Sequence, residues 1–330
     1  MELIELRPDR SLRVGLVGTG YAARLRAEAL TADPRSHLTA VAGSSLERTQ
    51  IFNEPFQAEV LSDWRALIDR ADIDLVIVST TNREHAPVVR AALEGKKHVV
   101  VEYPLALDLT EAAALITLAS QQNRLLHVEH IERLSGIHQA LLQAIPEVGT
   151  PFYARTIGLN PQHPAPRKWT YHHELFGFPL MAAVSRLHRL IHLFGPVATV
   201  YCQTRYQNST EGYYTACLCS AQLTFISGLL AEVVYGKGET LWQAARTLEV
   251  QGDRGAVVIE GEQGTLIRGE HTLPLDMGSR RGLFVKDTTL VLDHLTQGNP
   301  LYMTPEESLY ALRVADAARR SAETGQVIQL

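Results

Sequence analysis

The chain has 330 residues, 45% of them apolar and 20% charged, with a formal net charge of -5. That length fits about two domains with a core large enough to need no staples, and the composition is that of a folded chain rather than a fibrous or disordered one. The acidic balance and lack of basic runs argue against nucleic acid as the main partner, no stretch approaches the ~20 apolar residues of a membrane span, and three cysteines (Cys202, Cys217, Cys219) without a CxxC argue against a disulfide framework or zinc site.

The opening MELIELRPDRSLRV is charged and has no apolar h-region, so no signal peptide is expected and a cytoplasmic location is. LRVGLV (12–17) is read as a buried strand and GTGYAARLRAEAL as a turn opening a helix. HLTAVAGS (37–44) is a second strand and ERTQIFNEPF a short helix; DWRALIDRADIDLVIVSTTN gives a helix, then a strand at 74–80. HAPVVRAALEGKK is helical, HVVVEY a strand, LTEAAALITLASQQN a helix and RLLHVEH a further strand. Strands and helices alternating at this spacing imply a parallel sheet covered on both faces. Beyond about residue 130 the rhythm changes. ERLSGIHQALLQAIPEVG is read as one helix, FYARTIGL as a strand, NPQHPAPRKWTYHHELFGFP as a loop and LMAAVSRLHRLIHLFG as one helix. Six strand-like runs follow without helices between them, from ATVYCQTRY to GTLIRG, which points to a large open, mostly antiparallel sheet. A last helix begins at Thr304, with Pro305 at its first position and Glu307 closing a capping box. The expected fold is α/β: a Rossmann dinucleotide-binding domain (1–130) and an α+β substrate-binding domain (131–330), with the helix of 304–324 available to pack back on the first.

GTGYAA follows the first strand and opens the first helix, which is G-x-G-x-x-A in the setting that makes it informative. Gly18 permits the tight turn, Gly20 lets backbone approach a pyrophosphate, and Thr19, Tyr21 and Ala22 belong to the same turn. For NAD an acidic residue is expected at the end of the second strand. Gly43, Ser44 and Ser45 stand there instead, with Arg48 just beyond, which suits the 2′-phosphate of NADPH better than NADH. Glu47 is the residue that speaks for NADH.

GLVGTGYAA, VIVSTTNREH and ALEGKKHVVVEYP together resemble the glucose–fructose oxidoreductase / inositol dehydrogenase family. The resemblance implies that Ser79, Thr80, Thr81, Asn82 and His85 line the dinucleotide and that Glu102 lies near the nicotinamide. Two departures stand out. Tyr103 replaces the lysine that moves a proton on or off a sugar hydroxyl, and Arg186 falls near the family's substrate-helix histidine, with alanine at the aspartate position. One branch of the family shares this pattern, and its cyanobacterial members are similar to this chain in VEYPLAL, LLHVEHIERLSGIHQA, PAPRKWTYHH, FGFPLMAAVSRL, YGKGE and GSRRGLF. That branch reduces biliverdin to bilirubin: hydride reaches the central methine carbon, a proton reaches a pyrrole nitrogen, and the sugar lysine has no task.

Such a substrate needs an apolar floor and cations for its two propionates. Trp169, His172 and Phe178 are candidates for the floor, and Arg186, Arg189, Arg254 and Arg280 for the carboxylates. Arg186 is the leading catalytic candidate, by binding substrate oxygen, stabilising charge or orienting a proton donor; direct donation would require a proton replaced at once, given a guanidinium pKa above ~12. Tyr103 is read either as packing against nicotinamide or substrate, or as a hydrogen-bond donor. His130 is the second proton-relay candidate. His188 and His192 lie one helical turn apart, but nothing nearby supports a metal site, and none is expected. A sugar or cyclitol dehydrogenase, and a catalytically inactive nucleotide-binding regulator, are the alternatives; the chain is expected to be a monomer.

Overall fold

The computed structural model describes residues 11–279 and 281–330, which form two compact units. The first runs to Ile131 and takes in Arg281–Leu309; the second comprises Glu132–Arg280 and Tyr310–Leu330.

In the first unit, β1 (Leu12–Val17), β2 (Ser36–Ala42), β3 (Glu59–Leu61), β4 (Leu75–Val78), β5 (His98–Val101) and β6 (Leu126–Val128) form a parallel sheet in the order β3-β2-β1-β4-β5-β6. The crossovers contain α1 (Tyr21–Ala32), α2 (Leu46–Asn53), α3 (Trp64–Ile68), α4 (Asn82–Glu94) and α5 (Leu109–Gln121). β4 (LVIV) and β5 (HVVV) are buried at every position, as expected of strands covered on both faces. Strand order reverses between β1 and β4, so the strand ends there open a crevice of the kind that takes a dinucleotide.

The second unit carries a nine-stranded sheet in the order β14-β13-β12-β11-β7-β10-β9-β8-β15. Its strands are β7 (Pro151–Pro161), β8 (Val197–Gln207), β9 (Ala216–Phe225), β10 (Leu230–Gly238), β11 (Ala245–Gly252), β12 (Ala256–Glu260), β13 (Gln263–Arg268), β14 (His271–Pro274) and β15 (Ile328–Gln329). All pairings are antiparallel except β7 with β10. Its helices include α6 (Gly136–Ala144), α7 (His173–Phe176), α8 (Pro179–Ala182) and α9 (Ser185–Phe194).

One expectation is corrected. The segment read as a single helix from Leu180 breaks at Ala183 (φ -112°, ψ 30°) into α8 and α9. Leu180, Ala183, Val184 and Leu187 are all buried, so the apolar spacing runs unbroken through a backbone that does not. The core of the first unit also takes in α10 (Leu283–Gln297), whose Val291, Leu292 and Leu295 join Leu16, Leu30 and Ile77 there. The last helix, α11 (Pro305–Thr324), lies mostly in the second unit. Its capping box forms as expected: the Thr304 N–H donates to Glu307 Oε2 (2.7 Å) and the Glu307 N–H to Thr304 Oγ1 (3.2 Å). Among the described residues no helix is long and apolar enough to cross a membrane. The three cysteines are buried and free, and no group of histidine, cysteine or carboxylate side chains there has the geometry to hold a metal.

Candidate active site

The cofactor half is built on the β1–α1 turn. Gly18 has φ of 122°, and a Cβ there would come within 2.1 Å of the Ser79 carbonyl oxygen, so glycine is required. Gly20 begins α1 without a side-chain cap, leaving first-turn N–H groups for an anion. A Cβ on Gly20 would meet nothing within 4 Å, which leaves room for a pyrophosphate. Ser79 Oγ and Thr81 Oγ1 are buried with no protein partner, as groups awaiting a ligand would be. His85 Nδ1 lies 2.7 Å from the Pro104 carbonyl oxygen. Its Nε2 is buried and unpartnered, and burial lowers its pKa, keeping the ring neutral. Ser45 caps α2, accepting the Arg48 N–H at 3.3 Å. Ser44 and Arg48 are exposed beside it, and Arg48 has no carboxylate partner among the described residues. These residues fit an NAD(P) dinucleotide.

At the end of β5 the unit hides a charge cluster. Arg26 is fully buried on the apolar stripe of α1, beside Ala23, Ala27 and Leu30. Its Nε donates to Glu102 Oε1 (3.1 Å) and its Nη1 to Asp287 Oδ2 and Thr288 Oγ1. Asp287 also takes the Tyr302 hydroxyl (2.7 Å) and lies 2.9 Å from His127 Nε2. Burial opposes ionisation of Asp287, but Arg26 and His127 outweigh it and hold the carboxyl far below the usual range. Glu129 goes the other way: burial first, then the neighbouring Glu102 carboxyl, push it well above the usual range. Tyr103 stacks on His130, with ring centroids 5.3 Å apart and planes 20° from parallel. His130 is 1% exposed, with Nε2 3.0 Å from Ser308 Oγ.

The second unit holds the substrate candidates. Arg186, in the first turn of α9, lies over the Tyr235 ring (4.9 Å to the centroid) and forms no ion pair among the described residues. It also lies against Gly158, where a Cβ would sit 2.8 Å from Nη2. Gly158 and Tyr235 are register partners on β7 and β10. Trp169 packs on Phe176 (6.1 Å). His172 caps α7, and Phe178 precedes α8. Two arginines depart from expectation. Arg189 is already neutralised by Glu132 at 2.6 Å. Arg254 sits in the exposed turn after β11 and donates to the Pro146 carbonyl (3.2 Å). The β11 residue opposite Gly158 is Arg246, eight positions earlier, so at ~3.3 Å per residue Arg254 is about 20 Å or more from Arg186. Arg280 lies outside the described residues.

Sequence reading missed Arg26, His127, Glu129 and Asp287, and Lys237 on β10. The available signal was a charge interrupting a buried pattern: Arg26 on the stripe of α1, Lys237 after Ala231, Val233 and Tyr235 on one strand face.

A glycine turn at the switch point of a parallel sheet, followed by an open-sheet unit bearing an arginine with no ion pair among the described residues, is the build of a two-domain nicotinamide-dependent oxidoreductase. Residues 12–130 match the NAD-binding Rossmann fold of an oxidoreductase family and residues 146–330 its C-terminal alpha/beta domain. The chain therefore belongs to that family, which takes its name from glucose–fructose oxidoreductase and inositol dehydrogenase. It is similar to a crystal structure of biliverdin reductase from Synechocystis sp. PCC 6803 in complex with biliverdin and NADP+: 48% identity, covering 94% of this chain and 99% of that one, TM-score 0.93. Mouse biliverdin reductase A is 29% identical over 63% of this chain and 65% of its own length. The uncharacterized oxidoreductase YdgJ of Escherichia coli is 36% identical over 37% of this chain, a match spanning 35% of that protein.

Proposed function

We propose that this protein reduces biliverdin to bilirubin with NADPH. The observation that carries the reading is the 48% identity over 94% of the chain to a biliverdin reductase crystallised with biliverdin and NADP+. Bound NADPH supplies a hydride, which in this reading goes to the central methine carbon while a pyrrole nitrogen gains a proton. Ser44 and Arg48 hold the 2′-phosphate, and the N–H groups after Gly20 hold the pyrophosphate. Ser79, Thr80, Thr81, Asn82 and His85 line the dinucleotide, with Glu102 nearest its reacting end. Tyr103 packs and positions, consistent with its stack on His130. Arg186 meets a substrate carboxylate or lactam oxygen, because its guanidinium lies over the Tyr235 ring and pairs with no carboxylate among the described residues. Trp169, His172 and Phe178 supply part of the floor. Chemistry of this kind needs no base for a sugar hydroxyl, which accounts for tyrosine at position 103.

The test is spectral. Biliverdin and NADPH should give the bilirubin band, with turnover slower or weaker-binding on NADH. Reduction of NADP by a sugar or cyclitol without any bilin turnover would replace this reading with a dehydrogenase, and cofactor binding without either reaction would point to an inactive regulator.

A further inference from the structure

The nine-stranded sheet separates its charges by face. Tyr235 on β10 and Arg246 on β11 are both register partners of Gly158 on β7. Paired positions point to the same side of a sheet, so these three share the face over which Arg186 lies, against Gly158 and the Tyr235 ring. The carboxylates that the described strands carry are Glu232, Glu249 and Glu260, and all belong to the other face. Glu232 and Glu249 are in register with Arg155, and Glu260 with Thr247. Arg155 is an odd number of positions from Gly158 and Thr247 adjoins Arg246, so alternation along each strand turns them away from Arg186. Lys237, on the arginine face, is buried and already donates to the Thr170 carbonyl.

Arg246 is exposed and makes no ion pair or side-chain hydrogen bond among the described residues. Arg155, on the opposite face, shows what a strand arginine does when a carboxylate is at hand: it meets Glu249 at 2.7 Å. Arg246 lies close to the Arg186 guanidinium, which likewise has no ion pair among the described residues. A Cβ on Gly158 would sit 2.8 Å from Arg186 Nη2, and directly paired positions hold their Cβ atoms about 4.5–5.5 Å apart. Arg246 Cβ is therefore within roughly 8 Å of the Arg186 guanidinium, a gap that the Arg246 side chain and one carboxylate can bridge.

Two cations this close repel each other, and an anion between them removes the repulsion. Guanidinium forks match the two oxygens of a carboxylate. Arg189 and Arg254, by contrast, are held by Glu132 and the Pro146 carbonyl. We propose that Arg246 binds a propionate carboxylate of the substrate beside Arg186, and so sets a preference for the bilin diacid over its uncharged esters. That the carboxylate belongs to a bilin rests on the function proposed above; the juxtaposition of the two arginines on one face does not.

The experiment compares wild type and Arg246→Gln by steady-state kinetics on biliverdin and on biliverdin dimethyl ester, with NADPH as reductant. The KM for biliverdin should rise roughly tenfold in the variant, the loss expected for one charge-assisted hydrogen bond. The kcat, the KM for NADPH and the melting temperature should change little, as for an exposed side chain that meets ground state and transition state alike. On the dimethyl ester the two proteins should agree, because the charge that Arg246 meets is gone. Arg246→Lys, which keeps the charge without the fork, should fall between. A KM raised equally on both forms would show a structural role, and an unchanged KM on biliverdin would show a solvated charge; either result overturns the proposal. A wild type inactive on biliverdin would remove the proposed function instead. The carboxylate site is then judged by thermal melts in citrate against sodium chloride of equal ionic strength: wild type should gain more than Arg246→Gln, and equal gains reject the site.

Discussion

Replacing Arg186 with alanine separates a residue held for function from one held for stability. Its guanidinium forms no ion pair among the described residues and rests 4.9 Å from the Tyr235 ring centroid. Removing it should therefore cost stability only about 0.5–1 kcal/mol, the worth of a cation–π contact, and shift the melting temperature by no more than about 2–4 °C. If it meets a substrate carboxylate or the charge developing on the bilin, the loss in kcat/KM is about 2–4 kcal/mol, or roughly 30- to 1,000-fold. NADPH affinity should be unchanged. Arg186→Lys should fall between, since it keeps charge but loses the fork. Gly158→Ala provides a second approach: its Cβ would sit 2.8 Å from Arg186 Nη2, displacing the guanidinium without removing it, and should lower kcat/KM in the same direction. Bilirubin formation followed by absorbance, with a thermal melt on each variant, measures both quantities. Arg186→Ala with near-wild-type kcat/KM, or with a melting temperature lowered by 10 °C, would refute the assignment.

Asp287→Asn leaves Arg26 without its fully buried counter-charge and should lower the urea-unfolding free energy by about 3–5 kcal/mol, whereas Arg26→Met with Asp287→Leu should recover much of it; a single-variant loss under about 1 kcal/mol would show the pair to be screened. Arg48→Glu should raise the KM for NADPH roughly tenfold or more and leave NADH little affected, since it replaces a cation for the 2′-phosphate with a like charge; equal effects on both cofactors would place the 2′-phosphate elsewhere. Burial pushes His138 and His188 down to about 3, so both are neutral in the fold while the unfolded chain binds their protons. Stability should then decline as pH falls from the ordinary histidine value toward 3, visible as a lower urea midpoint at pH 5 than at pH 7, and His188→Asn should flatten that slope.

Where local signals agreed with each other, the sequence was readable. Gly18 is needed by backbone geometry, Gly20 leaves the turn open to a pyrophosphate, and β4 and β5 are buried throughout, so the Rossmann half followed from pattern. The short edge strand β3 and the exposed β14 have too little burial to leave a pattern. α10 escaped because its role depends on a partner far away in sequence: Asp287 neutralises Arg26, 261 positions earlier. The same holds for the break between α8 and α9, where a continuous apolar stripe hides a discontinuous backbone. Arg189 and Arg254 were candidates of the same charge type as Arg186, but Glu132 and the Pro146 carbonyl hold them. Charge type can be read from a sequence; whether the charge is already spent cannot.

The charge count around Arg26 gives the tyrosine at position 103 a further physical meaning. One buried guanidinium faces the carboxyls of Glu102, Glu129 and Asp287. Asp287 interacts most strongly with it, and is itself held by His127 and the Tyr302 hydroxyl. Glu129, 1% exposed and beside Glu102, is pushed upward by burial and by that neighbouring carboxyl. A lysine at position 103 would add a second cation one residue from Glu102 and draw the cluster toward full ionisation. Tyrosine adds none. Tyr103→Lys should therefore lower the pKa of Glu129, readable from its carboxyl band in isotope-edited infrared spectra. A Glu129 that titrates unchanged in that variant would show its shift to be independent of the charge at position 103.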